Sequence, residues 1–211
     1  MRLVSGLAAA IVEKGYALVT IADIVRHARV SKRTFYEHFS DKETCFLAGY
    51  AAVSKETLAI LTTAATQEGL PWEERVLVAA RTYLEALEAQ PELTRTYLLE
   101  IHAAGPRAVE LRREVHQRFA DALRRLVDVA REELPDLRPL SPEMATALVG
   151  GVNELVLVAI GDGKRSGQPQ RTTRLAHLAE TAFDLFTSVV LPSPLAAPKK
   201  AKPKATARRK G

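Results

Sequence analysis

An all-α protein of about nine helices is expected from three observations. Apolar residues recur at helical spacing almost throughout, and no segment alternates convincingly with period two. Helix-start signatures precede several of the apolar runs: Thr20-x-x-Asp23, Ser40-Asp41-Lys42-Glu43 and Ser141-Pro142-Glu143. Breakers fall between the runs, at Gly15, Gly69-Leu70-Pro71, Gly105-Pro106 and Leu134-Pro135.

The elements follow in order. Leu3, Leu7 and Ile11 share one face of a first helix that Gly15 stops. Thr20 opens a second, whose Ile21, Ile24 and Val25 face inward and which ends near Arg29-Val30. Ser31 opens a short third helix through Phe39, and the Ser40 box starts a fourth that runs to about Thr66. Pro71 suits the first turn of a fifth, ending near Ala89. Pro91 starts a sixth, ended by Gly105-Pro106. The seventh carries Leu111, Val115, Phe119, Leu123, Leu126 and Ala130 as one stripe. The eighth runs from Ser141 to Gly161 and holds the longest apolar run, Met144 to Ile160, which Asn153 and Glu154 interrupt. After a loop over Gly163 to Pro169, a ninth runs from Thr172 to Val190, amphipathic through Leu175, Leu178, Ala182, Leu185, Phe186 and Val189.

Composition narrows the function classes. The formal net charge is +5, yet the seven Lys or Arg after Pro192 meet no acid there, so the body is slightly acidic and the basicity belongs to the tail. That Pro/Ala/Lys tail, 192–211, cannot bury a core and is expected to be disordered. Cys45 is the only cysteine, which precludes an intrachain disulfide and fits a reducing, cytoplasmic setting. Glu13-Lys14-Gly15 follows the first apolar stretch where a signal peptide would carry a small-residue cleavage site. Asn153 and Glu154 make the longest apolar run a buried helix in expectation, not a membrane span. No His-x-x-x-His or Cys-x-x-Cys spacing occurs, so no metal is expected, and His102 and His116 are the best of poor ligands. Glu100 and His102 point apart at i, i+2 on a helix, and no nucleophile elbow or phosphate-binding loop is present. Neither an enzyme nor a cofactor is expected.

The constellation that carries function lies in 20–43. Two short helices joined by Ala28-Arg29-Val30 form a helix-turn-helix signal. The second must expose polar side chains at its start, where base edges are met, and Ser31, Lys32, Arg33 and Thr34 stand there. Arg33 can read guanine O6 and N7 bidentately. Tyr36, His38 and Lys42 are spaced to reach phosphates, with Thr20 as a further candidate DNA contact. An ordinary helical hairpin is the competing reading, and the capping, the turn length and the Lys-Arg-Thr cluster all speak against it.

Residues 3–50 resemble the TetR-family DNA-binding domain. The resemblance rests on Glu13-Lys14-Gly15-Tyr16, Thr20-x-x-Asp23-Ile24, Val30-Ser31-Lys32-x-Thr34-Phe35-Tyr36-x-His38-Phe39, Lys42-Glu43 and Leu47. It implies a helix-turn-helix domain over 1–48, and an effector-binding and dimerisation domain over 49–191 whose last two long helices form a dimeric four-helix bundle. It also implies a repressor that binds double-stranded, palindromic operator DNA as a homodimer and is released by a small hydrophobic or amphipathic effector. Trp72, Tyr83, Tyr97, His102, Phe119 and Asn153 are candidate effector contacts. Asn153 needs a buried partner, either the effector or the other subunit. Leu155, Leu178, Leu185 and Phe186 are candidate dimer contacts. Three departures stand out: Arg29 where the family usually has glycine, Arg33 where a small residue is common, and only Met1-Arg2 ahead of the first helix where members carry a basic arm. The lysine-rich tail is either that arm's replacement on the phosphates or a solvated extension.

Overall fold

The computed structural model describes residues 2–165 and 175–192, with side chains described over 2–160 and 175–192. Among them the chain forms nine α-helices and two short 3-10 turns, and no strand. The helices are α1 (Arg2–Lys14), α2 (Ile21–Ala28), α3 (Lys32–His38), α4 (Lys42–Ala65), α5 (Trp72–Ala89), α6 (Pro91–Leu99), α7 (Pro106–Glu133), α8 (Pro142–Arg165) and α9 (Ala179–Val190). The fold class read from the sequence is the fold observed.

Local chemistry explains most boundaries. The Thr20 hydroxyl accepts from the Asp23 N–H, and the Asp23 carboxylate accepts from the Thr20 N–H at 3.1 Å, completing a reciprocal cap on α2. Ser31 caps α3 by accepting from the Thr34 N–H at 3.0 Å, and Asp41 caps α4 by accepting from the Thr44 N–H at 2.6 Å. Four boundaries differ from expectation. A 3-10 turn, Tyr16–Leu18, occupies the α1–α2 connection. α6 stops at Leu99, six residues short of Gly105, and short turns follow. α8 continues past Gly161 to Arg165. Before α9, Ala176–Leu178 is a 3-10 turn, where the Glu88 carboxylate accepts from the Leu175 N–H at 3.0 Å and so draws that start toward α5. The expected start at Thr172, most of the loop before it, and nearly all of the tail lie outside the described residues.

Arg29 ends α2 in the left-handed region, φ 53° and ψ 49°. Its N–H bonds the Arg26 carbonyl and the Val30 N–H bonds the Val25 carbonyl, the paired closure of a helix end that favours glycine at this position. A β-carbon there costs about 1 kcal/mol. Arg29→Gly should therefore raise stability by roughly 0.5–1 kcal/mol in denaturant unfolding, and an unchanged or lowered midpoint would refute the strain.

Three apolar clusters form the interior. The first joins α1, α2, α3 and the start of α4 to Leu93, Tyr97 and Ile101, and extends to Ala108 and Val115 of α7. Because α4 runs unbroken past residue 48, the two expected domains share this core. The second cluster gathers Trp72, Ala120, Val127, Leu140, Leu148 and Val190; the third gathers Leu84, Val156, Ile160, Leu175 and Ala179. α8 over Pro142–Ile160 is long and apolar enough by composition to cross a membrane, but packs here against α7 and α9.

Candidate DNA interface and ligand cavity

The first helices hold α3 outward through tight packing. α1 and α2 cross so closely at Gly6 that a β-carbon there would sit 2.8 Å from the Ala28 β-carbon and the Ile24 carbonyl. Polar contacts fix their angle. Lys14 reaches the Asp23 carboxylate at 2.5 Å, and Glu13 pairs with His27 at 2.8 Å and Arg26 at 3.0 Å. Lys14 first, then Thr20, hold the Asp23 carboxyl well below the usual carboxylate range.

Phe35 is the inward anchor of α3: it is fully buried and packs edge-on to Tyr36 at 5.6 Å and against Phe39 at 5.9 Å. Burying such a ring contributes roughly 1.5–3 kcal/mol. It also sets the helical phase, so Ser31, Lys32, Arg33, Tyr36 and His38 are exposed and Thr34 half-exposed. The Arg33 side chain is 90% exposed and pairs with Glu37 at 3.1 Å, one turn on. Thr20 is exposed too, with its hydroxyl 2.7 Å from the Asp23 carboxylate.

Lys42, expected to reach a phosphate, is engaged within its own chain. In place of a free ammonium, the structure has its Nζ donating to the Tyr16 carbonyl at 2.7 Å and the Val19 carbonyl at 2.9 Å. The same nitrogen lies 4.3 Å from the centre of the Tyr16 ring. Burial lowers its pKa. Lys42 ties the 3-10 turn to the start of α4, giving the Val19 carbonyl a donor and adding a second to the Tyr16 carbonyl, which also accepts from the Val19 N–H.

Between α4, α5, α7, α8 and α9 lies a cavity of about 340 Å³. Its walls are mainly aliphatic, with Leu61, Val76, Leu123, Leu126, Leu148 and Val152 among them. Of the expected effector contacts, Trp72, Tyr83 and Phe119 line it, with Tyr83 and Phe119 in edge contact at 5.9 Å. This explains why Leu123 and Leu126 of the α7 stripe are only partly buried: they face the cavity.

The other three expected contacts lie elsewhere. Tyr97 is buried in the first core cluster, against Phe46 at 5.1 Å and Tyr50 at 5.4 Å. His102 is exposed in the turns after α6, and its neighbour Glu100 accepts from the Tyr16 N–H at 3.3 Å. Asn153 finds its partner within its own chain: its side-chain amide lies 2.6 Å from His116 Nε2, joining α8 to α7. Burial depresses the His116 pKa from 6.5 to about 4. The folded state thus resists a proton that the unfolded chain accepts, so stability should decline as pH falls from 6.5 toward 4. His116→Gln should flatten that part of the pH–stability curve; an unaltered slope would mean that the imidazole is free to charge.

The expected dimer contacts also divide. Phe186 lines the cavity and packs on Trp72 at 6.2 Å, so it faces inward. Leu178 packs on the third cluster, Leu155 is half-buried, and Leu185 is exposed. Sequence reading missed Arg75 and Glu133, which also line the cavity. The signal was present: Arg75 lies on the α5 face that carries Trp72, Val76, Ala79 and Tyr83. Among the described residues no group of three or more His, Cys, Asp or Glu is disposed to hold a metal.

Comparison with known proteins agrees with this geometry. Residues 3–48 match the family described as bacterial regulatory proteins, tetR family. No curated protein matches the chain in sequence. Solved structures match nearly its whole length. The fatty acid degradation regulator FadR from Bacillus halodurans superposes with a TM-score of 0.73 at 18% identity, covering 88% of this chain and 96% of that one. FadR from Bacillus subtilis, solved in complex with stearoyl-CoA, gives 0.72 at 15% identity, covering 89% and 97%. A TetR family transcription regulator from Marinobacter aquaeolei gives 0.64 at 18% identity, covering 91% and 95%. Residues 3–48 thus match the tetR-type DNA-binding domain, and the chain as a whole has the fold of these regulators.

Proposed function

We propose that this regulator is a repressor that binds a palindromic operator as a homodimer and releases it when a small hydrophobic or amphipathic effector fills the second domain. The observation that carries the reading is the pairing of an exposed recognition helix with an apolar cavity whose walls include α4, the helix that begins beside that reader. A ligand that alters α4 has a direct mechanical route to the DNA-binding end. A tenfold loss of operator affinity needs only about 1.4 kcal/mol of coupling. That the neighbouring FadR from Bacillus subtilis was solved with stearoyl-CoA supports an amphipathic effector.

The dimer is supported by what one chain leaves uncovered. Only 22% of the apolar stretch Pro142–Ile160 is buried within a single protomer. Val158 is 54% exposed and Met144 43%, with Leu185 and Leu191 on or just after α9 also exposed. Pairing α8 and α9 across a two-fold axis would cover these and set two recognition helices roughly one DNA turn or more apart, about 34–36 Å. A gel shift on the intergenic DNA upstream of the protein's own gene, with light scattering at micromolar concentration, tests both halves. Expected are a retarded complex and twice the monomer mass; a monomer, or no shift on that DNA, would overturn the corresponding half. Val158→Glu with Leu185→Glu should give a folded monomer, because both side chains are already in solvent.

A further inference from the structure

We infer that the effector carries an anionic head group and that Arg75 is the residue that reads it, an assignment that rests on the cavity being the effector site. Among the described residues Arg75 is the only cation lining the cavity, on walls otherwise mainly aliphatic and aromatic. Its side chain is only 16% exposed, so the guanidinium has surrendered most of its hydration. Its hydrogen bonding does not compensate in full. The terminal nitrogens both turn to Glu133, at 2.6 Å and 3.5 Å, while Nε–H is buried and has no acceptor among the described residues. A guanidinium offers five N–H donors in a fixed fork, and this one is under-paired for its burial.

Its present partner is well suited to be displaced. The Glu133 side chain is 57% exposed at the end of α7, so it can return to water at little cost, whereas Arg75 cannot. An incoming carboxylate or phosphate would take over the fork while its apolar tail filled the space beside Trp72, Tyr83 and Phe119. The ion pair is then the resting state of a head-group site. The remaining charge on the lining, Glu68, is acidic and sets the competing possibility of a cationic head.

Three probes sharing one tail separate these cases: dodecanoate, dodecanol and dodecyltrimethylammonium, each below its micelle concentration. Trp72 is the only tryptophan and lines the cavity, so its fluorescence reports occupancy directly. Dodecanoate should bind about ten- to a hundredfold more tightly than dodecanol, the worth of a hydrogen bond to a charged group. Arg75→Met should abolish that preference and leave dodecanol affinity unchanged. Glu133→Gln, which keeps Arg75 and removes only the competing charge, should tighten dodecanoate binding, so the inference does not depend on whether the methionine variant folds. Equal binding of all three probes, or preference for the ammonium, would overturn the head-group assignment alone. No response to any probe would instead overturn the cavity as the effector site, and this inference with it.

Discussion

Gly49→Ala should destabilise the protein by about 2–3 kcal/mol, and Tyr97→Phe in the same chain should recover most of that loss. A β-carbon at Gly49 would overlap the Tyr97 hydroxyl and lie 2.8 Å from a Val4 methyl. Neither neighbour can withdraw readily. Tyr97 is 3% exposed between Phe46 and Tyr50, and Val4 sits in the same cluster. The contact is where α1, α4 and α6 meet, so relief by backbone movement would disturb the support of the recognition helix. The Tyr97 hydroxyl is itself buried without a partner among the described residues, so its removal costs no hydrogen bond to them. Tyr97→Phe alone should therefore be neutral or slightly stabilising, which makes the coupling in a double-mutant cycle favourable and large. Urea unfolding of the four proteins checks this. Additive effects would mean that Gly49 is intolerant for a reason unconnected with Tyr97.

Arg33→Ala should lower operator affinity by about 1–3 kcal/mol and relax preference at one base position, while binding to unrelated DNA changes little. Arg33 stands free of the core on the outer face of α3, and among the described residues Glu37 is its ion-pair partner. That pair is exposed and contributes little to stability, so the fold should be unaffected. Lys42→Ala should behave differently from a phosphate contact. Its ammonium holds the Tyr16 and Val19 carbonyls, so its loss should lower thermal stability and weaken all DNA sequences through misplacement of the reader. The salt slope should stay nearly constant, whereas a true phosphate contact would change it by about one unit. Competition titrations at several salt concentrations, on operator and on scrambled DNA, separate the two residues. Identical behaviour of the two variants would erase the distinction between reader and support.

What the sequence determined about this protein is what depends on neighbours within a turn or two. The caps at Thr20 and Ser31, the breakers at Gly69-Leu70-Pro71 and Gly105-Pro106, and the 3.6-residue stripes act through contacts three or four positions apart, whereas the expected Ser40-x-x-Glu43 box gives way to a cap by Asp41 on the Thr44 N–H. They yield the helices, and with Phe35 facing inward they yield the exposed side of α3. Even the strain at Arg29 could be anticipated, because the turn after α2 is a local requirement. The tertiary structure decided where a long or polar side chain finds its partner across the fold. Lys42 reaches back to Tyr16, Asn153 to His116, Arg75 to Glu133, and Tyr97 lies over Gly49, each joining segments far apart in the chain. Helical periodicity says that such residues face the interior. It cannot distinguish a wall of packed core from the wall of a cavity, because both are apolar stripes and only the packing of five helices decides which stripe meets empty space. That is why Trp72, Tyr83 and Phe119 line the cavity while Tyr97, an aromatic on a helix like them, and Asn153, a polar group on an apolar helix, are held elsewhere.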